Sequence, residues 1–195
     1  MVNLKGKMRM RKAAVLWALL VGLAISIISC TSVPKPVKGT IEIRFHLNSA
    51  EGVEPSYQTV VWLEDEAGTY LKSFLVSEYL AYGGFNDSTI CPAWSKKANW
   101  DQTPEEVFDA VTRATPPVGE TILQIDCLKE NLFPGTYNFL IQTHIVAKYS
   151  ILTKGNLVLG KEKFASHVER FYIPSVYANT AQVLDLVSAE FIPKK

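Results

Sequence analysis

From Thr40 to Leu47 the side chains alternate without exception. Ile41, Ile43, Phe45 and Leu47 point one way; Glu42, Arg44 and His46 point the other. A period of two is the mark of a strand with one face on a core and one in water. Such a strand needs partners, so the rest of the chain is read for further strands. Tyr57–Leu63 is rich in β-branched and aromatic residues, and Tyr70–Val76 follows after the short acidic turn Glu64-Asp65-Glu66-Ala67-Gly68. Two such runs across a glycine-bearing turn predict a hairpin. Thr121–Leu128 and Tyr137–Val146 flank Asn131-Leu132-Phe133-Pro134-Gly135, and the Pro-Gly pair predicts a second hairpin. Leu157–Leu159, Val168–Ile173 and Val183–Phe191 supply further strands. Short strands divided by turn signals imply an all-β protein, an antiparallel β-sandwich.

One stretch departs from this pattern. Thr103-Pro104-Glu105-Glu106 has a capping hydroxyl, a proline suited to the first helical position, and a glutamate that completes a capping box. Val107, Ala110, Val111 and Ala114 then recur at helical spacing, and Pro116-Pro117 ends the run. The expectation is one short helix with those four residues on its buried face and Thr115 just beyond it in an extended loop. The preceding residues, 78–102, are irregular and aromatic, with Tyr79, Tyr82, Phe85, Trp94 and Trp100. They read either as anchors for a partner or glycan, or as a lid folded over the core edge.

The start of the chain bears on location. Lys5, Lys7, Arg9, Arg11 and Lys12 precede an apolar run over 13–28, and small Ser29 stands before Cys30. This is the layout of a lipoprotein export signal. The run is short for a spanning helix, which needs roughly 20 apolar residues. The expected organisation is a signal peptide over 1–29, a lipidated Cys30 with a proline-rich tether over 30–38, and a sandwich domain over 39–195. Two or more acyl chains on Cys30 would give lasting attachment to a membrane. Thr31, rather than an aspartate, follows the cysteine, which favours the outer membrane over the inner one.

The full chain has 20 basic and 19 acidic residues. Loss of the leader's five basic residues leaves a formal charge of −4 on the mature part. That removes any basic stripe, and nucleic acid is not expected as a partner. Outside the cytosol Cys91 and Cys127 can form a disulfide or remain two buried thiols. Motifs for common hydrolase and nucleotide chemistry are missing: there is no G-x-S-x-G, P-loop, H-E-x-x-H or C-x-x-C. His46, His144 and His167 are far apart, and the acids at 64–66 offer too few oxygens for calcium. No metal is expected.

Three segments together resemble domain-of-unknown-function family 2271, a group of predicted periplasmic proteins. They are Val60–Gly68 with Tyr70-Leu71-Lys72-Ser73, Asp109–Thr115, and Leu132-Phe133-Pro134-Gly135-Thr136-Tyr137, in matching order. The resemblance spans about 40–192 and implies an immunoglobulin-like sandwich, with no established activity. Asp109–Thr115 also resembles the D-x-x-[ST]-G-A-T acceptor site of covalent flavoproteins, in which a flavin transferase joins FMN to the last threonine through a phosphoester. That likeness implies Thr115 as acceptor and Asp109, Thr112 and Ala114 as its supporting residues. Arg113 stands where the pattern has glycine. The favoured reading is a non-enzymatic, lipid-anchored envelope module that binds a partner or ligand without a cofactor. The alternative is a covalently flavinylated electron carrier outside the cytosol.

Overall fold

The computed structural model describes residues 34–49, 56–173 and 183–194. Among them ten strands form: β1 (Gly39–Leu47), β2 (Thr59–Asp65), β3 (Tyr70–Ser77), β4 (Thr112–Arg113), β5 (Gly119–Asp126), β6 (Gly135–Val146), β7 (Tyr149–Leu159), β8 (Phe164–Ala165), β9 (Val168–Ile173) and β10 (Leu184–Pro193). They make two sheets, ordered β5-β1-β10-β8 and β4-β3-β2-β6-β7-β9. Every pairing is antiparallel except β3 with β4. The chain is an all-β sandwich, as its alternating pattern implies.

β1 is central in the smaller sheet, and its Ile41, Ile43, Phe45 and Leu47 are wholly buried while the residues between them are not. They meet Val61, Leu63, Phe139, Ile141, Ile151 and Leu157 of the larger sheet. Each such side chain contributes about 1.5–3 kcal/mol on burial. At the centre the Phe139 ring lies over Gly155, its cross-strand neighbour. A β-carbon at Gly155 would collide with that ring and with the Ser166 hydroxyl, so the glycine admits the phenylalanine.

The first hairpin forms as expected, with Gly68 at φ +85° in its turn. The second does not. β5 pairs with β1 in the smaller sheet, whereas β6 pairs with β2 and β7 in the larger one. The Pro-Gly connection therefore crosses between sheets. Turn residues say where a chain reverses, not which edge the next strand joins. Leu132 decides the matter: it is buried at the end of the sandwich, and its carbonyl accepts from the Val37 amide at 2.7 Å.

Val37 is itself in the core, so the expected tether over 30–38 does not run free to its end. Cys30, the leader and Thr31 lie outside the described residues. β7 begins at Tyr149, eight residues before the strand expected at Leu157–Leu159, and joins β6 through Ala147-Lys148. Ala147 takes φ +49° there without any glycine, asparagine or proline to announce the turn.

The segment between β3 and β4 holds three short helices rather than one: α1 (Glu78–Ala81), α2 (Pro92–Ala98) and α3 (Glu105–Val111). No helix among the described residues is long and apolar enough to cross a membrane. The disulfide between Cys91 and Cys127 is not formed. Both thiols are free and buried, Cys127 in the core between the sheets and Cys91 in a second cluster on the opposite face of the larger sheet.

Candidate functional site

β2 is buried on both faces, because its run Val60-Val61-Trp62-Leu63 has no polar alternate. Val61 and Leu63 enter the core. Val60 and Trp62 face outward and are covered by Leu80, Trp94 and Trp100 from the segment 78–102. The tryptophans expected as partner anchors or lid are thus a lid. Its fastenings are polar. Trp94 Nε1 donates to Ser73 Oγ at 2.9 Å, and Trp100 Nε1 donates to the Ala81 carbonyl at 3.1 Å. Gln142 Oε1 accepts from the Ala93 and Trp94 amides, satisfying the first turn of α2 from a neighbouring strand. Glu64, which the sequence places in the acidic turn of the first hairpin, is only 2% exposed. One of its oxygens accepts from Trp62 Nε1 at 2.9 Å and from Lys97 Nζ at 2.7 Å. Tyr79 and Tyr82 stay outside, 59% and 68% exposed.

The helix α3 has a different register from the expected one. Pro104, not Thr103, occupies the cap position, and no side chain caps the helix. Phe108 and Val111 pack against the lid cluster, while Val107, Ala110 and Ala114 are exposed. The ring of Phe108 lies 5.4 Å from Trp100 and 4.9 Å from Tyr82. That aromatic contact, invisible in the apolar spacing, outweighs burial of two alanines. The helix ends at Val111, and Thr112-Arg113 become β4 beside Val76 and Ser77. The expected flavin segment is therefore split. Asp109 is exposed on the helix; Thr112 is half-buried, its hydroxyl donating to the Phe108 carbonyl at 2.7 Å. Arg113 and Ala114 are exposed. Thr115 is half-buried, and its Oγ1 accepts from Gln58 Nε2 at 3.1 Å.

Beside this segment lies a groove of about 810 Å³. Its walls are the Lys72–Leu75 stretch of β3, the exposed side of α3 with Arg113, Ala114 and the two prolines, and residues 121–126 of β5. Apolar Leu75, Val107, Leu123 and Ile125 line it, with charge at its end. There Lys72 Nζ meets Glu130 at 2.7 Å and Lys194 Nζ meets Asp126 at 2.8 Å. The hydrogen bond from Lys194 holds the Asp126 carboxyl below its ordinary range. β3 and β5 belong to different sheets, so nothing in the local sequence marked this groove; exposed Ile122 on β5 was the one available hint.

A polar pair that the sequence did not suggest sits at the opposite end of β6. His144 Nε2 donates to the Ala147 carbonyl at 2.8 Å, which leaves Nδ1 to accept from Ser56 Oγ at 2.5 Å. The two residues are 88 positions apart and meet because β6 runs beside the approach to β2. The Ser56 hydroxyl is also 3.3 Å from the His144 carbonyl, so it clasps two strands together. His46 lies 3.4 Å from Asp185 on another strand pair. No cluster of three or more metal-ligating side chains occurs among the described residues.

A family model described as "Predicted periplasmic protein (DUF2271)" matches residues 38–169. No curated protein and no solved structure matches the chain.

Proposed function

We propose, from the premise that the chain belongs to this family of predicted periplasmic proteins, that it is a non-enzymatic binding module held at the cell envelope by lipid on Cys30. The groove between β3, α3 and β5 receives its ligand. One observation carries this reading: core-facing Thr121 and Leu123 of β5 are only half-buried, although their partners on β1, Phe45 and Ile43, are fully buried. The sandwich is left open along this flank, and a concave, partly apolar opening of this size is where ligands ordinarily bind. The leader, with Ser29 before Cys30, supports the anchor.

A photo-crosslinking residue at Val107, 44% exposed in the groove, tests the module in the native envelope. A discrete adduct is expected there and none from Asn156, exposed on the far strand β7. Equal adducts from both positions, or none, would refute it. Intact mass of the native protein tests the anchor: a mass equal to the chain still carrying Met1, or lacking acyl groups, removes it.

The second reading, FMN carried on Thr115, draws on the same groove, since Arg113, Ala114, Pro116 and Pro117 form its wall on that side. Ala114 leaves room for a bulky group, and Arg113 can pair with a phosphate. Attachment would replace the hydroxyl hydrogen of Thr115, whose Oγ1 accepts from Gln58 Nε2. When bound, the flavin ring would supply redox chemistry. Coexpression with a flavin transferase decides between the readings. A yellow protein whose added FMN mass vanishes in Thr115→Ala establishes the carrier; an unchanged mass removes it.

A further inference from the structure

The sheet edges are defended unequally. β8 and β4 are two residues long, and β9 carries Glu169 and Arg170 within its six residues. β5 is an edge strand of eight residues. It holds unbroken register with β1 from Gly119 opposite Leu47 to Asp126 opposite Thr40. It has no proline, no lysine and no bulge, and its two charges, Glu120 and Asp126, stand near its ends and leave 121–125 uncharged, so the devices that ordinarily blunt an exposed edge are missing from its middle. Its far side opens into the groove, whose apolar floor is Leu75, Leu123 and Ile125. A regular edge above an apolar slot offers main-chain hydrogen bonds and side-chain pockets together, which is what strand addition requires.

We propose that β5 takes up an extended segment of a partner protein as an added strand. This rests on the binding-module reading and names its ligand. Alternate side chains of the segment enter the groove, so they are apolar. The others lie beside the outward row Glu120, Ile122, Gln124 and Asp126. That row is acidic at both ends with an apolar residue, Ile122, between, and calls for lysine or arginine at the ends of the incoming strand. Arg44, 3.6 Å from Glu120, and Lys194, on Asp126, are surface partners that incoming cations would share. A second copy is a poorer occupant: antiparallel pairing of two β5 strands about Leu123 would set Glu120 against Asp126, like charge facing like.

The test uses the mature protein in detergent and three labelled ten-residue peptides. One alternates valine and lysine, one is its twin N-methylated at every residue, and one alternates valine and glutamate. The valine–lysine peptide is expected to bind, to slow amide exchange across 120–126, and to bind at least ten-fold more tightly than either other peptide. Glu120→Lys with Gln124→Lys, both on exposed positions, should weaken it at least ten-fold while leaving the melting transition in place. Equal binding of the N-methylated twin would show surface attraction and overturn strand addition. So would protection outside β5, or a peptide-free dimer protected at β5. Failure of all three peptides overturns the proposal too. If the Val107 adduct persists in that case, the module stands and only the edge pairing falls.

Discussion

The two apolar clusters on either side of the larger sheet are built by different means. The inner one comes from alternate residues of regular strands, and Ile43, Phe45, Phe139 and Phe191 fill it without a buried carboxylate. The outer one comes from irregular chain wrapped over Val60, Trp62 and Leu140, fastened by Glu64, Lys97, Ser73 and Gln142. The first is held mainly by packing, the second by packing that depends on specific polar partners. A region of the second kind can open while the first stays shut.

The sharpest way to break this contrast is to damage each cluster in turn. Phe139→Ala should cost about 3–5 kcal/mol, with strand circular dichroism and tryptophan fluorescence lost together in one denaturant transition. Survival of the sandwich with only the lid loosened would contradict the division. Trp94→Ala should cost about 3 kcal/mol, taken mostly from the lid. Proteolysis should then become rapid within 78–111 while the strand signal keeps its own, later transition. A single early transition would mean that the two clusters are one cooperative unit.

The cysteines report on the same contrast, one in each cluster. Burial raises both thiol pKa values, that of Cys127 to about 11 from an ordinary 9.0, with the Asp126 charge adding to the effect. The fold thus favours the neutral thiol. This stabilisation is full below about pH 9 and is lost as pH climbs toward 11. Alkaline melting should steepen over that window, and Cys127→Ala should flatten it. In mild denaturant a maleimide should label Cys91 before Cys127; the reverse order would place the weaker cluster inside. The smallest effect is expected from Glu64→Gln, about 1 kcal/mol. Lys97 is 43% exposed, so water can take over its charge, and a glutamine oxygen can still accept from Trp62. Modestly faster cleavage in the lid is the readout.

Where structure followed local pattern, the sequence was legible. The sequence alternates from Thr40 to Leu47 and the structure buries every second residue there. The first hairpin carries its own glycine turn. Where the outcome depended on a distant partner, local signs misled. The proline and glycine before β6 mark a reversal, yet the strands beside them lie in different sheets. The spacing of Val107, Ala110, Val111 and Ala114 suggested a buried helix face, but with the ring of Phe108 on Trp100 only Val111 of the four packs inward, and Ala114 lies beyond the helix end. Thr115 could be singled out by motif; its bond from Gln58 could not, because the two residues are 57 positions apart in the chain. The groove had no motif at all, since its walls come from separate sheets.

The amino-acid order alone therefore established strand content, the buried face of β1 and the family resemblance, for each of these is written in neighbouring residues. Tertiary structure alone decided which edges pair, that the tryptophans close a lid, that the cysteines stay apart, and that β5 is left open beside a groove. Periodicity is a property of one segment, whereas strand partnership is a choice among several segments. That choice is settled by which arrangement buries Val37, Leu132 and the lid aromatics at once.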